Sequence, residues 1–438
     1  MKKMFQEIYK SKLITLEEAL SKVKSNDCIV SAMTASEPMG FNSQLHTIAK
    51  DVENVDVYMC LPMKDHPFFM LPEMEGRFRL ISWFHSAGAR ASIKTGLDTV
   101  SFLPNHLHRA GLDVLDWRKI NIFVGTCTPP DHTGHVCLST SLVYEKEMVE
   151  NADLVIMEVN ENLPRCLGDT HVNIRNIDFF FENHVDIPKL PEAAPSERDM
   201  KIGEYIASVV EDESTIQLGI GGIPNAAAMA LKGKKNLGVH TEMFVDTMVD
   251  LYLDGTITNA AKSYFKDKFI CTFALGSQKL YDFIHDNMAV EIHRGAWVND
   301  PKWVAKNNKM VSINTCLMVD LTGQVASESL GPVQFSGTGG QFDTAMGAKE
   351  ATRGGKGKSI IACASTAKKG TISSIVPMLP EGSAVTLHRA NTDLVVTENG
   401  VAYLRGRDVR RRALNLIEIA HPDHKEELRK QAKKLKYI

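Results

Sequence analysis

Short runs rich in valine and isoleucine alternate with longer amphipathic stretches along the whole chain, and this alternation restricts the fold more than any other feature. It is the pattern of βα units feeding a mostly parallel sheet. In the first half the predicted strands are Cys28 to Met33, Val55 to Leu61, Lys119 to Gly125 and Asp153 to Val159. Between them, Thr15-Leu-Glu-Glu18 is a capping box opening a helix over Leu16 to Val23, and Ser141 to Ala152 carries Leu142, Met148 and Val149 on one side. At 438 residues the chain exceeds one ordinary core, so two α/β lobes of about 200 residues are expected. The segment 185–199 contains Pro188, Pro191 and Pro195 with little periodicity, and it reads as a linker between residues 1–184 and 200–438.

Beyond the linker the pattern resumes with a strand over Thr215 to Ile220, a helix over Asn225 to Leu231 and a strand over Leu237 to His240. Met310 to Val319 is predicted to pair with Gln324 to Ser327 across Thr322-Gly323, and Asp393 to Thr397 with Val401 to Leu404 across Asn399-Gly400. A strand over Ser359 to Ala364 lies between them, and helices over Asp408 to Ala420 and Pro422 to Leu435 follow. Asn26 to Pro38 and Glu213 to Pro224 share one outline: polar turn, strand, small-residue loop, proline, helix. That internal echo predicts similar folds in the two lobes.

Several function classes are excluded by composition. A formal charge of -3 without a basic tract, apart from Arg405 to Arg412, argues against nucleic acid as the partner, and the arginine run reads as a solvated helix face. The eight cysteines are scattered without a C-x-x-C, and most lie in apolar runs, as expected of reduced core residues in a cytosolic protein. The first residues lack the apolar region of a signal peptide, and no stretch approaches 18 uncharged apolar residues, so no membrane association is expected.

Chemistry concentrates in the second half. Gly219-Ile220-Gly221-Gly222-Ile223-Pro224 leaves a predicted strand and enters a helix, so its backbone N–H groups can converge on negative charge. Pro224 replaces the third glycine of a dinucleotide fingerprint, and the alternative is a tight turn without a ligand. Glu242 follows the apolar strand and should project from its end near this loop. With an intrinsic pKa of ~4.3 it would be ionised at neutral pH and able to attack a thioester carbonyl without a general base. The alternative for an isolated glutamate is a solvated surface carboxylate. A second cluster, Ser336-Gly-Thr-Gly-Gly-Gln-Phe-Asp343, allows close backbone approach to a phosphate or pantetheine arm, or forms a plain connecting loop.

Other motifs point away from ATP and metals. Gly354-Gly-Lys-Gly-Lys-Ser359 has Thr352 where a P-loop needs glycine and is followed by a strand rather than a helix. His106-x-His108 and Asp131-His-x-x-His135 lack zinc-site spacing, so no metal is expected. Leu414, Leu416, Ile417 and Ile419 read as core.

The run Gln217 to Asn225, His240-Thr-Glu242-Met, Ser336 to Gln341, Val395-Val-Thr-Glu398-x-Gly400-Val-Ala and Ile419-Ala-His-Pro422 together resemble the family I coenzyme A transferases. Val159 to Asp169 also fits. The nearest branch is that of the butyryl-CoA:acetate and 4-hydroxybutyrate CoA-transferases, grouped with acetyl-CoA hydrolases. This resemblance implies two similar open α/β domains of the type shared with sugar-phosphate isomerases, and ping-pong exchange through an acyl-glutamyl anhydride and a glutamyl-CoA thioester. It implies Glu242 as nucleophile, oxyanion and CoA contacts from Gly219, Ile220, Gly221, Gly222 and Ile223, and further CoA contacts from Leu317, Gly340 and Lys368 or Lys369. It also implies a homodimer with no resident cofactor, using coenzyme A or acyl-CoA and a short-chain carboxylate as substrates. Asn399 and Thr344 depart from the family pattern, which usually has tyrosine and often phenylalanine there, and the first lobe matches less well. An acyl-CoA hydrolase using the same glutamate is the alternative, and a non-covalent CoA-binding or isomerase-like protein is the remote one.

Overall fold

β-branched runs buried on both faces can satisfy their backbone only within a covered sheet, and here they form the centres of two parallel sheets. The structure, a computed structural model, describes residues 3–191, 194–352 and 354–438. One lobe comprises the residues up to Leu190 together with Cys271–Trp297, and the other runs from Pro191 to Ile270 and resumes over Val298–Ile438.

In the first lobe the strands are β1 Cys28–Ser31, β2 Val55–Cys60, β3 Phe78–Phe84, β4 Val100–Phe102, β5 Ile122–Cys127, β6 Leu154–Val159 and β7 Phe179–Glu182. They form one sheet in the order β7-β6-β5-β1-β2-β3-β4, parallel throughout. β1 and β5 are buried along their whole length. The Thr15 capping box forms as predicted and opens the helix Leu16–Leu20, while the helix expected over Ser141 to Ala152 spans Glu145–Asn151.

The second lobe contains β8 Thr215–Leu218, β9 Gly238–Val239, β10 Val311–Thr315, β11 Met318–Asp320, β12 Val325–Ala326, β13 Lys358–Ala362, β14 Thr366–Ala367, β15 Ile372–Ser373, β16 Ile375–Val376, β17 Leu394–Thr397 and β18 Gly400–Tyr403. Its main sheet has the order β9-β8-β10-β13-β17-β18 and is parallel except for the final β17–β18 hairpin, whose two-residue turn is Glu398-Asn399, one position before the predicted Asn399-Gly400, so that Gly400 pairs with Thr397. In both sheets the first strand lies between the second strand and a later one. Such an order reversal opens a crevice at the C-terminal strand ends, where α/β sheets bind ligands.

The internal echo extends to backbone detail. Asn26 and Glu213 both adopt a φ of 66°, just before β1 and β8, and their N–H groups donate to Glu53 O (2.9 Å) and Lys235 O (2.8 Å). Asn54 and Asn236, at φ 54° and 56°, repeat the device before the next strand of each lobe.

Several expectations need correction. The run Met310 to Val319 is not one hairpin strand: Val311–Thr315 joins the parallel sheet, and only Met318–Asp320 pairs antiparallel with Val325–Ala326. The arginine run is not wholly solvated, because Arg412 is buried and donates to the carbonyls of Thr322 (3.0 Å), Arg389 (2.7 Å) and Arg407 (3.0 Å). Leu414 is exposed, whereas Leu416, Ile417 and Ile419 are core. In the predicted linker, Asn160 Nδ2 donates to Val185 O (2.8 Å), the Tyr281 hydroxyl donates to Pro188 O (2.7 Å), and Ile187 is buried. Glu192 and Ala193 of that segment, like Met1 and Lys2, lie outside the described residues. Ser196 then caps the helix Glu197–Val209 through a capping box with Asp199.

All eight cysteines are free, and seven of them are buried. Among the described residues no helix is long and apolar enough to cross a membrane, and no three His, Cys, Asp or Glu side chains gather to hold a metal. Asp131 instead closes a turn, accepting from the N–H groups of Thr133 (2.7 Å) and His135 (3.0 Å).

Candidate active site

Glu242 owes its position to β9. That strand pairs in parallel with β8 in the register Thr215↔Gly238 and Ile216↔Val239, and Glu242 follows three residues beyond its end. The glycine loop and the glutamate therefore follow neighbouring strands out of the same end of the sheet. On its other side β9 is fastened by side chains: Asn259 Oδ1 accepts from Val239 N (2.8 Å) and the fully buried Lys262 donates to Val239 O (2.8 Å). Gly238 makes room for that lysine, since a Cβ there would lie 2.3 Å from Lys262 Cγ.

The Glu242 carboxylate is held within the second lobe. Asn299 Nδ2 donates to Glu242 Oε2 at 2.8 Å. Gly340 comes so close that a Cβ on it would fall 1.6 Å from Oε2 and 2.2 Å from Asn299 Nδ2. Only glycine fits. Two groups fix Asn299 and Gly340 in turn. The buried His240 donates from Nε2 to Val298 O (2.8 Å), one residue before Asn299, and Gly340 O accepts from Thr344 N (2.9 Å) and Thr344 Oγ1 (3.0 Å). Ser312 Oγ also donates to Thr344 Oγ1 (2.9 Å), so the threonine that departs from the family pattern ties the site loop to β10.

This environment corrects the expected ionisation of Glu242. Burial pushes its pKa up to about 7 and the charge of Asp343 adds to the rise, outweighing the hydrogen bonds from Asn299 and the Gly340 backbone. The carboxyl thus holds its proton to a higher pH than a solvated glutamate does. The residue is only partly buried by surface area, but the packing of Asn299 and Gly340 against Oε2 accounts for the desolvation of the carboxylate itself.

The glycine loop is less open than expected. Gly219 N–H already donates to Ile313 O (3.2 Å), and Ile220 is 44% exposed. Gly221, at φ 109°, precedes the helix Gly222–Ala230, whose first turn has spare N–H groups by construction, although Pro224 has none to give. Asp199 sits beside it, with Oδ2 2.8 Å from where a Cβ on Gly222 would lie, and its charge opposes an anion there. Partly buried Ile223 lies in that helix's first turn.

Of the residues singled out in the sequence, Glu242 and Gly340 are brought into contact. Leu317 bridges β10 and β11, with its N–H on Ala326 O (3.0 Å), while Lys368 and Lys369 are exposed at the tip between β14 and β15. Sequence reasoning missed Asn299, His240 as its clamp, and Asp343 as the charge beside Glu242. Asn299 lies in a Val-Asn-Asp-Pro turn whose sequence bears no spacing relation to Glu242.

Residues 1–192 match the acetyl-CoA hydrolase/transferase N-terminal domain, and residues 276–432 match the C-terminal domain of the same name. The chain belongs to the acetyl-CoA hydrolase/transferase family. Within that family it is 39% identical to the succinyl-CoA:cyclohexane-1-carboxylate CoA transferase of Geobacter metallireducens, over 100% of this chain and 98% of that one. It is also 39% identical to the 4-hydroxybutyrate coenzyme A transferase of Clostridium kluyveri, over 98% and 99%. The crystal structure of RipA from Yersinia pestis superposes with a TM-score of 0.94 at 34% identity, covering 99% of this chain and 100% of that one. The acetyl-CoA hydrolase/transferase fold thus spans both lobes.

Proposed function

We propose that the protein transfers coenzyme A between a short-chain acyl-CoA, butyryl-CoA or 4-hydroxybutyryl-CoA, and a free carboxylate such as acetate, with Glu242 as the covalent carrier. A Glu242 oxygen attacks the thioester carbonyl, the C–S bond breaks, and CoA leaves as thiolate from an acyl-glutamyl anhydride. The thiolate then attacks the glutamyl carbonyl and expels the product acid, leaving a glutamyl-CoA thioester that the second acid consumes by the reverse steps. Trading one thioester for another is close to thermoneutral, so the remaining requirement is positioning and charge stabilisation.

The observation that carries this reading is the Asn299 and Gly340 contact with Glu242. Asn299 Nδ2 lies 2.8 Å from Oε2, where negative charge collects when the glutamyl carbonyl is attacked. A fixed donor of this kind contributes roughly 3 to 4 kcal/mol to such a step. The reading includes a homodimer without a resident cofactor.

Incubation with butyryl-CoA and labelled acetate tests it. Labelled acetyl-CoA should appear, and mass spectrometry of enzyme given acyl-CoA alone should find CoA attached at Glu242. Thiol release without labelled acetyl-CoA would establish hydrolysis by the same residue, and full turnover by Glu242→Ala would remove the covalent route altogether.

A further inference from the structure

Glu37 follows β1 and His66 follows β2, at the C-terminal ends of neighbouring strands in the first lobe, the end at which α/β sheets bind ligands. Both side chains are buried. His66 Nε2 donates to Glu37 Oε1, and the other carboxylate oxygen accepts from Met63 N–H (2.7 Å). The imidazole stacks on Phe68, with ring centroids 5.9 Å apart, and meets Phe69 edge-on at 6.3 Å, so its orientation is fixed. With the proton on Nε2, Nδ1 of the neutral ring is left as an acceptor. It faces Ser43 Oγ at 3.5 Å, a long contact of the kind that tightens when substrate binds.

Ser43 lies on the helix Met39–Gln44, where a serine commonly returns its hydroxyl to the carbonyl four residues back. Here the hydroxyl turns to His66, and Ser43 also lines a cavity of about 410 Å³. Met39, Met63 and Pro188 give that cavity an apolar wall, and Lys64 and Lys189 add two cations. A hydroxyl against an imidazole, the imidazole against a buried carboxylate, and a cavity at the hydroxyl are the parts of nucleophilic acyl transfer in working order. A histidine kept for packing alone would need Glu37 and the two phenylalanines, but not a serine that opens onto a cavity.

We propose that Ser43, His66 and Glu37 form a second acyl-transfer site, which hydrolyses small carboxylic esters through an acyl-serine. Ser43 Oγ attacks the ester carbonyl as its proton passes to His66 Nδ1, and the Glu37 carboxylate stabilises the imidazolium. The tetrahedral adduct collapses, the bond to the leaving oxygen breaks, and His66 returns the proton to the departing alcohol. Water then attacks the acyl-serine by the same steps, releasing the acid and restoring the serine. The apolar wall takes the acyl group, and the two lysines offset the negative charge of the adduct. Every residue of the site belongs to the first lobe, so the activity goes beyond the CoA-transferase reading and does not need Glu242.

The test uses the full chain carrying Glu242→Ala, so that no ester cleavage can be credited to that glutamate. With 4-nitrophenyl acetate it should release a burst of about one equivalent of 4-nitrophenolate per chain, followed by slower turnover. Peptide mass spectrometry should find the acetyl group on Ser43, and a fluorophosphonate should label the same oxygen and abolish the turnover. Adding Ser43→Ala should remove burst and label together. Adding His66→Gln should slow acylation about a thousandfold, and Glu37→Gln about a hundredfold. A burst that survives Ser43→Ala, a fluorophosphonate that leaves Ser43 unmodified, or acylation as fast in the His66→Gln protein would each overturn the assignment. Ser43→Ala removes a single half-buried hydroxyl, so it decides the matter even where a His66 variant does not fold. CoA transfer by the unmodified chain is read separately, and its absence would leave the serine site standing.

Discussion

A buried carboxyl with a pKa of about 7 makes the reactivity of Glu242 a matter of protonation as well as placement. In the proposed mechanism the nucleophile is the deprotonated form, so kcat/KM should rise with pH through about 7 and level off above it. Asn299 favours the charged form, and removing its amide raises the carboxyl pKa further. Asn299→Ala is therefore expected to move the midpoint upward and to lower kcat about a hundredfold. Stopped-flow pH profiles of both proteins check this, and an unmoved midpoint would show that the amide does not act on the carboxylate. At this scale the sequence was partly legible. Glu242 was singled out because it follows an apolar strand near a glycine-rich loop, and Gly340 because the family resemblance carried a CoA contact to it; that the two touch each other was in neither reading. Asn299 was not singled out, since its contact with Glu242 arises from a turn that His240 fixes through the Val298 carbonyl. No local pattern encodes a meeting of that kind.

Elements were legible wherever one local rule decided them. The Thr15 capping box formed as read, and the predicted β17–β18 hairpin formed with its turn one residue earlier, at Glu398-Asn399. The run Met310 to Val319 was misread because an unbroken apolar stretch carries no mark of where it changes partners, and here Val311–Thr315 serves the main sheet while Met318–Asp320 serves a small one. Arginine was the other source of error. Within Arg410, Arg411 and Arg412 only the last turns inward, where its guanidinium donates to three carbonyls from three separate segments. Arg412→Ala would leave those carbonyls without their donor and should destabilise the protein by about 2 to 4 kcal/mol, whereas Arg411→Ala should cost less than about 0.5 kcal/mol. Urea denaturation of the two variants measures the contrast, and equal effects would mean that the helix face is uniformly solvated after all.

For the whole molecule, the repeated lobe was visible in the shared outline of Asn26 to Pro38 and Glu213 to Pro224, but the return of Cys271–Trp297 to the first lobe was not, because such a return is written in packing and not in any boundary signal. Both lobes bury carboxyls, and their sum sets how stability depends on pH. Burial is the main cause that raises Glu147 and Glu158 to about 7, as it does Glu242. Between pH 4.5 and 7 the folded chain thus holds protons on these groups that the unfolded chain has released. Stability therefore falls as pH rises through that window and stays lower above it. His85 acts in the opposite sense: burial lowers its pKa to about 4, so the unfolded chain binds the extra proton and stability rises between about pH 4 and 6.5. Three carboxyls outweigh one histidine, and the midpoint of thermal unfolding should be higher near pH 6 than at pH 8, by a free-energy difference of several kcal/mol at most. Glu242→Gln removes one of the three contributions, so its advantage over the unmodified chain should be small at pH 5 and grow to about 1 to 3 kcal/mol at pH 8. Denaturant titrations of both proteins at the two pH values measure that growth, and a constant offset would mean that Glu242 ionises in the fold as easily as it does in the unfolded chain.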